Sequence, residues 1–189
     1  MQKTKSLGDF MYEKILDIAE QLFMTQGYQA TSTRQITELL GVTQPTIYYH
    51  FKKKEDIYYA VMLRLSKDIE QNLTKIVCDS TPDLERKLIT MVEFLKKKHP
   101  FNFFVMMHDV QHSLPKEMTT KLYQLFSNSY KAPFVRLLTE NSPKLRESVN
   151  IEFAVSQLFI LMASYLDNTN PKDNISEMID LYLHGIYRT

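Results

Sequence analysis

Three features predict an all-α fold for this chain of 189 residues. Apolar side chains recur at three- and four-residue spacing along most of its length, and no stretch alternates as a strand does. Only 4 glycines occur, too few for hairpin-dense β architecture or for glycine-rich phosphate loops. Most of the 7 prolines fall between the periodic segments, where they start or stop helices.

The elements follow in order. Tyr12, Ile15, Leu16, Ala19, Leu22 and Phe23 define a first helix, with Gly27 as its stop signal. A short second helix begins near Thr31–Thr33 and carries Ile36, Leu39 and Leu40. Ser32 and Gln35 have capping-box spacing at its start, and Gly41 sits where a left-handed residue would end it. Pro45 belongs in the first turn of a third helix that runs to about Phe51. A helix over 55–78 carries Ile57, Val61, Leu65, Ile69 and Leu73, and Pro82 opens another that runs to Lys98. Phe101 to His112 reads as a short apolar helix, and 116–140 as a long one kinked or broken at Pro133. Two last helices cover 149–168 and 173–187. The expectation is about nine helices, a small N-terminal unit of three followed by a larger bundle, with domains at 1–54 and 55–189.

Composition narrows the function classes. A chain this long can bury roughly 70% of its unfolded surface and needs no covalent or metal staple. Cys78 is the single cysteine, which excludes an intrachain disulfide and multi-cysteine metal centres; it is expected to be a small buried apolar residue. The longest apolar runs, such as Leu158 to Ala163, fall far short of the ~18–20 residues that cross a bilayer. The basic N-terminal decapeptide lacks the apolar core of a signal peptide, so a cytoplasmic protein with no membrane association is expected. The 23 basic and 22 acidic residues give a net charge of +1, but the distribution is uneven. Arg34, Lys52, Lys53 and Lys54 against Glu38 give residues 31–54 a local +3 (4 − 1), whereas residues 145–189 hold three basic and six acidic residues, a local −3.

The basic excess coincides with a helix-turn-helix pattern. Ile36 and Leu40 would face a three-helix core, Val42 would plug the turn, and Ile47 and Phe51 would anchor the following helix at i, i+4. That leaves Gln44, Thr46, Tyr48, Tyr49 and His50 pointing outward or sideways. A second helix so placed enters the major groove and offers its N-terminal part to base edges. Glutamine can pair bidentately with adenine, and threonine can bond a base or meet a thymine methyl. Thr33, in the first turn of the preceding helix, and Lys54, at the start of the next, are placed for phosphates.

The stretch GYQATSTRQITELLGVTQPTIYYHFKKKEDI, Gly27 to Ile57, resembles the signature of TetR-family transcriptional repressors. It matches at Gly27, Tyr28, Thr31, Ser32, Ile36, Gly41, Val42, Thr43, Thr46, Ile47, Tyr48, His50, Phe51, Lys54 and Glu55. It departs at Thr37 and Leu40, where the family usually has alanine, and at Pro45, where glycine is common. The resemblance implies DNA-backbone contacts from Thr33, Tyr48, Tyr49, His50 and Lys54. Base-edge contacts are implied for Gln44, Pro45 and Thr46, with Thr43 beside them. The partner would be a double-stranded, pseudo-palindromic operator bound by a homodimer, whose two-fold axis matches half-sites ~34 Å apart.

Beyond residue 80 two patterns carry function. The last two helices have apolar stripes through Ile151, Val155, Leu158 and Met162, then Ile175, Ile179, Tyr182 and Ile186, which face either their own core or a partner. The resemblance implies the second use, a four-helix dimer interface, and the closing LYLHGIYR is similar to the end of that family's last helix. Aromatic and methionine residues in the middle could line an apolar pocket. The resemblance implies an effector cavity there, drawing on Phe101, Phe104, Met107, His108, Tyr123, Phe126, Tyr130, Phe159 and Met162. His108, Asp109 and His112 place two histidines at i, i+4, a spacing that can chelate a metal. No third ligand accompanies them, so neither metal nor cofactor is expected.

The leading reading is a ligand-responsive repressor, not an enzyme, released from its operator by a small apolar or amphipathic effector. Two readings stand beside it: a DNA-binding regulator controlled by a protein partner or acting as an activator, and a metal-dependent enzyme centred on His108, Asp109 and His112.

Overall fold

The computed structural model describes residues 7–98, 112–165 and 174–186. The chain is all-α, with no β-strand among the described residues. None of those helices is long and apolar enough to cross a membrane. The chain divides into two compact units, Met1–Leu65 with Met106–Leu122, and Ser66–Val105 with Tyr123–Thr189.

The first unit is built on α1 (Leu7–Ala30), α2 (Thr33–Leu40), α3 (Gln44–His50) and the opening turns of α4 (Lys54–Cys78). Gly27 breaks α1 without ending it. Its φ of 82° and ψ of 173° lie in a region essentially confined to glycine, so the three residues after it set off in a new direction. Ile15, Ala19, Ile36, Ile47, Ile57 and Val61 are fully buried and form the core where the four helices meet. Beside them Phe23 and Tyr28 each meet Tyr58 edge-on, with ring centroids 4.9 and 5.0 Å apart. Aromatic pairs in this geometry add to what their area alone contributes.

An ion-pair cluster fastens α4 to α1. The Arg64 guanidinium bonds Glu13 at 3.3 Å, Asp17 at 2.7 Å and Glu20 at 2.6 Å, three carboxylates that share one face of α1 through i, i+4, i+7 spacing. Burial works against the charge, but the hydrogen bonds to Glu20 and Asp17 prevail and hold the guanidinium more firmly protonated than usual.

The second unit contains the rest of α4, α5 (Leu84–Lys98), α7 (Ala132–Glu140), α8 (Ile151–Tyr165) and α9 (Ile175–Ile186), and α6 (Lys116–Phe126) runs into it from the first. α5 packs on α9, and α8 touches both α7 and α9. Asp83 rather than Pro82 opens α5, accepting a bond from the Arg86 N–H at 2.8 Å. Asn150 caps α8 in the same way through the Phe153 N–H at 2.9 Å.

The long segment expected over 116–140 is interrupted ahead of Pro133. Residues Ser127–Lys131 form a π-turn in which the Ala132 N–H reaches back to the Ser127 carbonyl. Proline offers no N–H to the carbonyl four residues before it, and the wider turn accommodates that loss. Pro133 then occupies the first turn of α7. Cys78, expected to be buried, is the exposed last residue of α4. The helix expected over Phe101 to His112 lies outside the described residues, apart from His112.

Replacing Arg64 by Ala removes three partly solvated ion pairs, worth about 1–2 kcal/mol together. Thermal unfolding at low salt should fall by about 2–6 °C, and by less at high salt because the pairs are then screened. An unchanged midpoint would show that the cluster contributes nothing.

Candidate nucleic-acid interface

The helix-turn-helix is assembled by local bonds that the sequence specifies residue by residue. Ser32 caps α2: its Oγ accepts from the Gln35 N–H at 3.2 Å, while Gln35 Oε1 accepts from the Ser32 N–H at 2.8 Å. The other end closes on Gly41, left-handed at φ 66°. There the Gly41 and Val42 N–H groups return to Glu38 and Thr37 carbonyls at 3.3 and 3.1 Å, a paired closure that satisfies the last carbonyls of the helix. Thr37, where the sequence departs from the alanine of the resemblance, keeps its buried hydroxyl satisfied by donating to the Arg34 carbonyl at 2.7 Å. Leu40 lies with Leu39, Met11 and Ile18 along a shallow groove of about 340 Å³.

α3 starts from Thr43 with Pro45 in its first turn. Ile47 and Phe51 face inward, 0 and 6% exposed, and Tyr12 of α1 stacks on Phe51 with centroids 5.0 Å apart. This inward anchoring turns the remaining side chains out. Tyr48 is 51% and Tyr49 84% exposed, and Thr43 and Pro45 are exposed as well. Gln44, Thr46 and His50 are half-buried. The Thr43 and Thr46 hydroxyls lie 3.2 Å apart, and the Thr33 hydroxyl donates to Gln44 Oε1 at 3.4 Å. Tyr49 meets the His50 ring edge-on at 5.0 Å, and Tyr12 approaches His50 from α1 at 6.3 Å. Two adjacent, exposed tyrosines have no packing reason to be there, since aromatic rings stabilise a protein chiefly by burial. Eight of the nine residues expected at DNA are thus brought to one edge of the unit or left accessible beside it.

Lys54 is the ninth, and its side chain is oriented differently. It is half-buried, and its Nζ donates to the Tyr28 and Thr31 carbonyls, both at 2.9 Å. The ammonium also sits over the Tyr28 ring, 4.0 Å from the centroid. Burial pulls the pKa of Lys54 below the usual lysine value, with Glu55 opposing. Burial, reinforced by Glu55, pushes the Tyr28 phenol up to about 12. By contrast, the Lys52 and Lys53 side chains are exposed.

In the second unit the stripes expected at a dimer interface mostly face the protomer's own core. Val155, Leu158, Met162, Ile175, Ile179 and Tyr182 are at most 8% exposed, and Ile151 and Ile186 are half-buried; of these, Tyr182 and Ile186 also line a surface groove. The apolar residues turned outward on the same helices are Phe153, Ile160, Leu161 and Leu181. With Gln157 and Gly185, Phe153 and Leu181 border a groove of about 510 Å³. α8 is apolar on two faces, and that all-round character was the available sequence signal.

Among the residues expected around an effector, Phe126, Tyr130 and Phe159 gather in the bundle, and Met162 is buried in α8. Phe126 meets Phe159 at 5.3 Å and Tyr130 at 5.6 Å, and Phe134 joins at 5.2 Å from Phe159. Tyr123 is exposed. Phe101, Phe104, Met107 and His108 lie outside the described residues, as does Asp109. Among the described residues no cluster of histidine, cysteine and carboxylate side chains could hold a metal ion.

Residues 15–61 match the family model for bacterial regulatory proteins of the tetR family. The chain is 42% identical over 57 residues to the transcriptional regulator AcrR of Shigella flexneri, covering 30% of this chain and 26% of AcrR. It is 40% identical over 50 residues to the transcriptional regulator QacR of Staphylococcus aureus, covering 26% and 27% of the two chains. These matches span about a quarter of either relative's length. Over nearly the whole chain the fold is that of the transcriptional regulator FadR of Bacillus subtilis in complex with stearoyl-CoA, with a TM-score of 0.76, 21% identity, and 93% of this chain and 100% of that one covered. With its capped α2, left-handed Gly41 and outward tyrosines, the segment Ile15–Val61 is an N-terminal helix-turn-helix of the tetR-family kind.

Proposed function

We propose that the chain is a transcriptional repressor that binds a pseudo-palindromic, double-stranded operator as a homodimer and is released by a small apolar or amphipathic effector. The observation that carries this is the outward face of α3, with Tyr48 and Tyr49 exposed above the buried Ile47 and Phe51. A rigid helix presented on a packed core is what entry into the major groove requires. Gln44, Pro45 and Thr46, on the first turn, would meet base edges; Thr33, Thr43, Tyr48, Tyr49 and His50 would hold the backbone. In this reading residues 1–54 read DNA, residues 55–189 bind effector and pair the protomers, and the protein acts in the cytoplasm where its DNA is.

Pairing would use the outward face of α8 and α9, where Leu181 is 72% and Phe153 64% exposed. Scattered exposed apolar residues are ordinary, whereas several on adjoining helices mark a contact surface. The effector would lie against Phe126, Tyr130 and Phe159, whose rings supply apolar area. That stearoyl-CoA, an amphipathic molecule, occupies a protein of the same fold supports this ligand class. Release follows only if the effector binds the state that leaves DNA more tightly than the state that holds it. No reaction is assigned to the chain.

Selection from random duplex DNA with the purified protein should recover a two-fold sequence. Tyr48→Ala and Tyr49→Ala, which remove exposed rings, should each weaken binding to that duplex by about tenfold or more while changing unfolding free energy by no more than ~0.5 kcal/mol. Full-strength binding by both variants would remove α3 from the interface. Leu181→Glu combined with Phe153→Glu should convert a dimer to a monomer in sedimentation equilibrium without loss of helical content. A dimer of undiminished stability would place the pairing surface elsewhere.

A further inference from the structure

Two features of the groove between α8 and α9 have no explanation inside one protomer. Gly185 stands in the last turn of α9, exposed, and its backbone is not left-handed; among the described residues only Gly27 and Gly41 have positive φ. A Cβ built on Gly185 meets no atom of the described residues within 4 Å. Neither a turn nor close packing within the chain calls for glycine there, and alanine would hold the helix better. Tyr182, three residues earlier, is 8% exposed and lines the same groove. Its hydroxyl is shut off from solvent and has no hydrogen-bond partner among the described residues, a state that native proteins seldom leave unmet. Burial pushes this phenol above the usual tyrosine range, so the hydroxyl keeps a proton to donate.

The same face carries a counterpart to the missing side chain. Phe153 of α8 borders the groove and is 64% exposed, a large ring left mostly in water. A two-fold contact sets one patch against itself, so what projects from one copy meets what is recessed in the other. We infer that Gly185 is the hole that receives Phe153 of the partner subunit when protomers pair, and that this fit sets the register of the dimer. The inference rests on the pairing through α8 and α9 proposed above and adds the contact that fixes it. With no Cβ at Gly185, the partner's Phe153 can pack directly on the α9 backbone. Each protomer offers both ring and hole, so the contact forms twice. The face also carries Asn150 and Gln157, and a second copy brings such amides toward the Tyr182 hydroxyl that its own chain leaves unpaired.

The test measures the dimer dissociation constant of the full chain by fluorescence-detected sedimentation, with helical content followed by circular dichroism. Gly185→Ala should keep or raise the helical content, as helix propensity requires. It should nonetheless weaken pairing about tenfold or more, because the added methyl overfills the contact at both of its copies. Phe153→Ala should weaken pairing to a similar degree, and the double variant should lose little beyond either single change. A Gly185→Ala dimer as tight as the wild type, or tighter, overturns the inference. So do losses that simply add, which would separate Phe153 from the hole. A wild type that stays monomeric at every concentration sinks the pairing proposal itself, whereas a dimer indifferent to Gly185→Ala sinks only the contact argued here.

Discussion

The helix that would read DNA has seven residues, about two turns, and no helix of that length holds its shape in water by itself. Every other feature of the first unit compensates for this. Ile47 and Phe51 fix one face of α3 in the core, Tyr12 stacks on Phe51 from α1, and Gly41 sets the angle at which the chain enters from α2. The outward residues can then be chosen for recognition, because none is needed to keep the helix folded. Tyr49, the most exposed large apolar side chain among the described residues, is the clearest case: it adds nothing to the core and is free to serve a surface.

How far the sequence discloses this depends on the range of each interaction. The Ser32–Gln35 capping box, the left-handed Gly41 and the first-turn Pro45 are legible because cause and effect lie within a few residues. The break at Gly27 is legible as a discontinuity but not as a kink, since spacing alone does not distinguish a helix that ends from one that turns. Lys54 bonding carbonyls 23 and 26 residues earlier, and Arg64 gathering carboxylates 44 to 51 residues away, depend on how helices pack and leave no periodic trace. Lys54 next to Lys52 and Lys53 reads as one basic run, yet two of these side chains are solvated and the third is turned inward.

The same limit applies to the two apolar faces of α8. In α8 the stripe Ile151, Val155, Leu158, Met162 and the stripe through Phe153, Ile160 and Leu161 are both apolar, and periodicity ranks neither as the core face. Tertiary packing against α7 and α9 selects the first for burial and leaves the second outside. In the middle segment Phe126 and Tyr130 pack together, and Phe159 of α8 meets Phe126. The sequence did not disclose the π-turn beneath Tyr130, which follows from a proline three residues on.

A short reading helix also explains why the outward face of α8 and α9 matters to the proposed function. One seven-residue helix reaches few base edges, and a single small module buries only ~600–1,000 Å² on DNA. Binding of that size leans on phosphate contacts and discriminates weakly. Joining two heads makes the second binding event intramolecular, so affinity and specificity rise together, provided both heads can engage at once. Under the proposed function that proviso would be the handle for control. An effector need not damage α3 or its tyrosines, whose support is built into the first unit. It needs only to favour a dimer whose heads no longer match the spacing of the two half-sites, because the advantage of linkage is lost once one head is out of register.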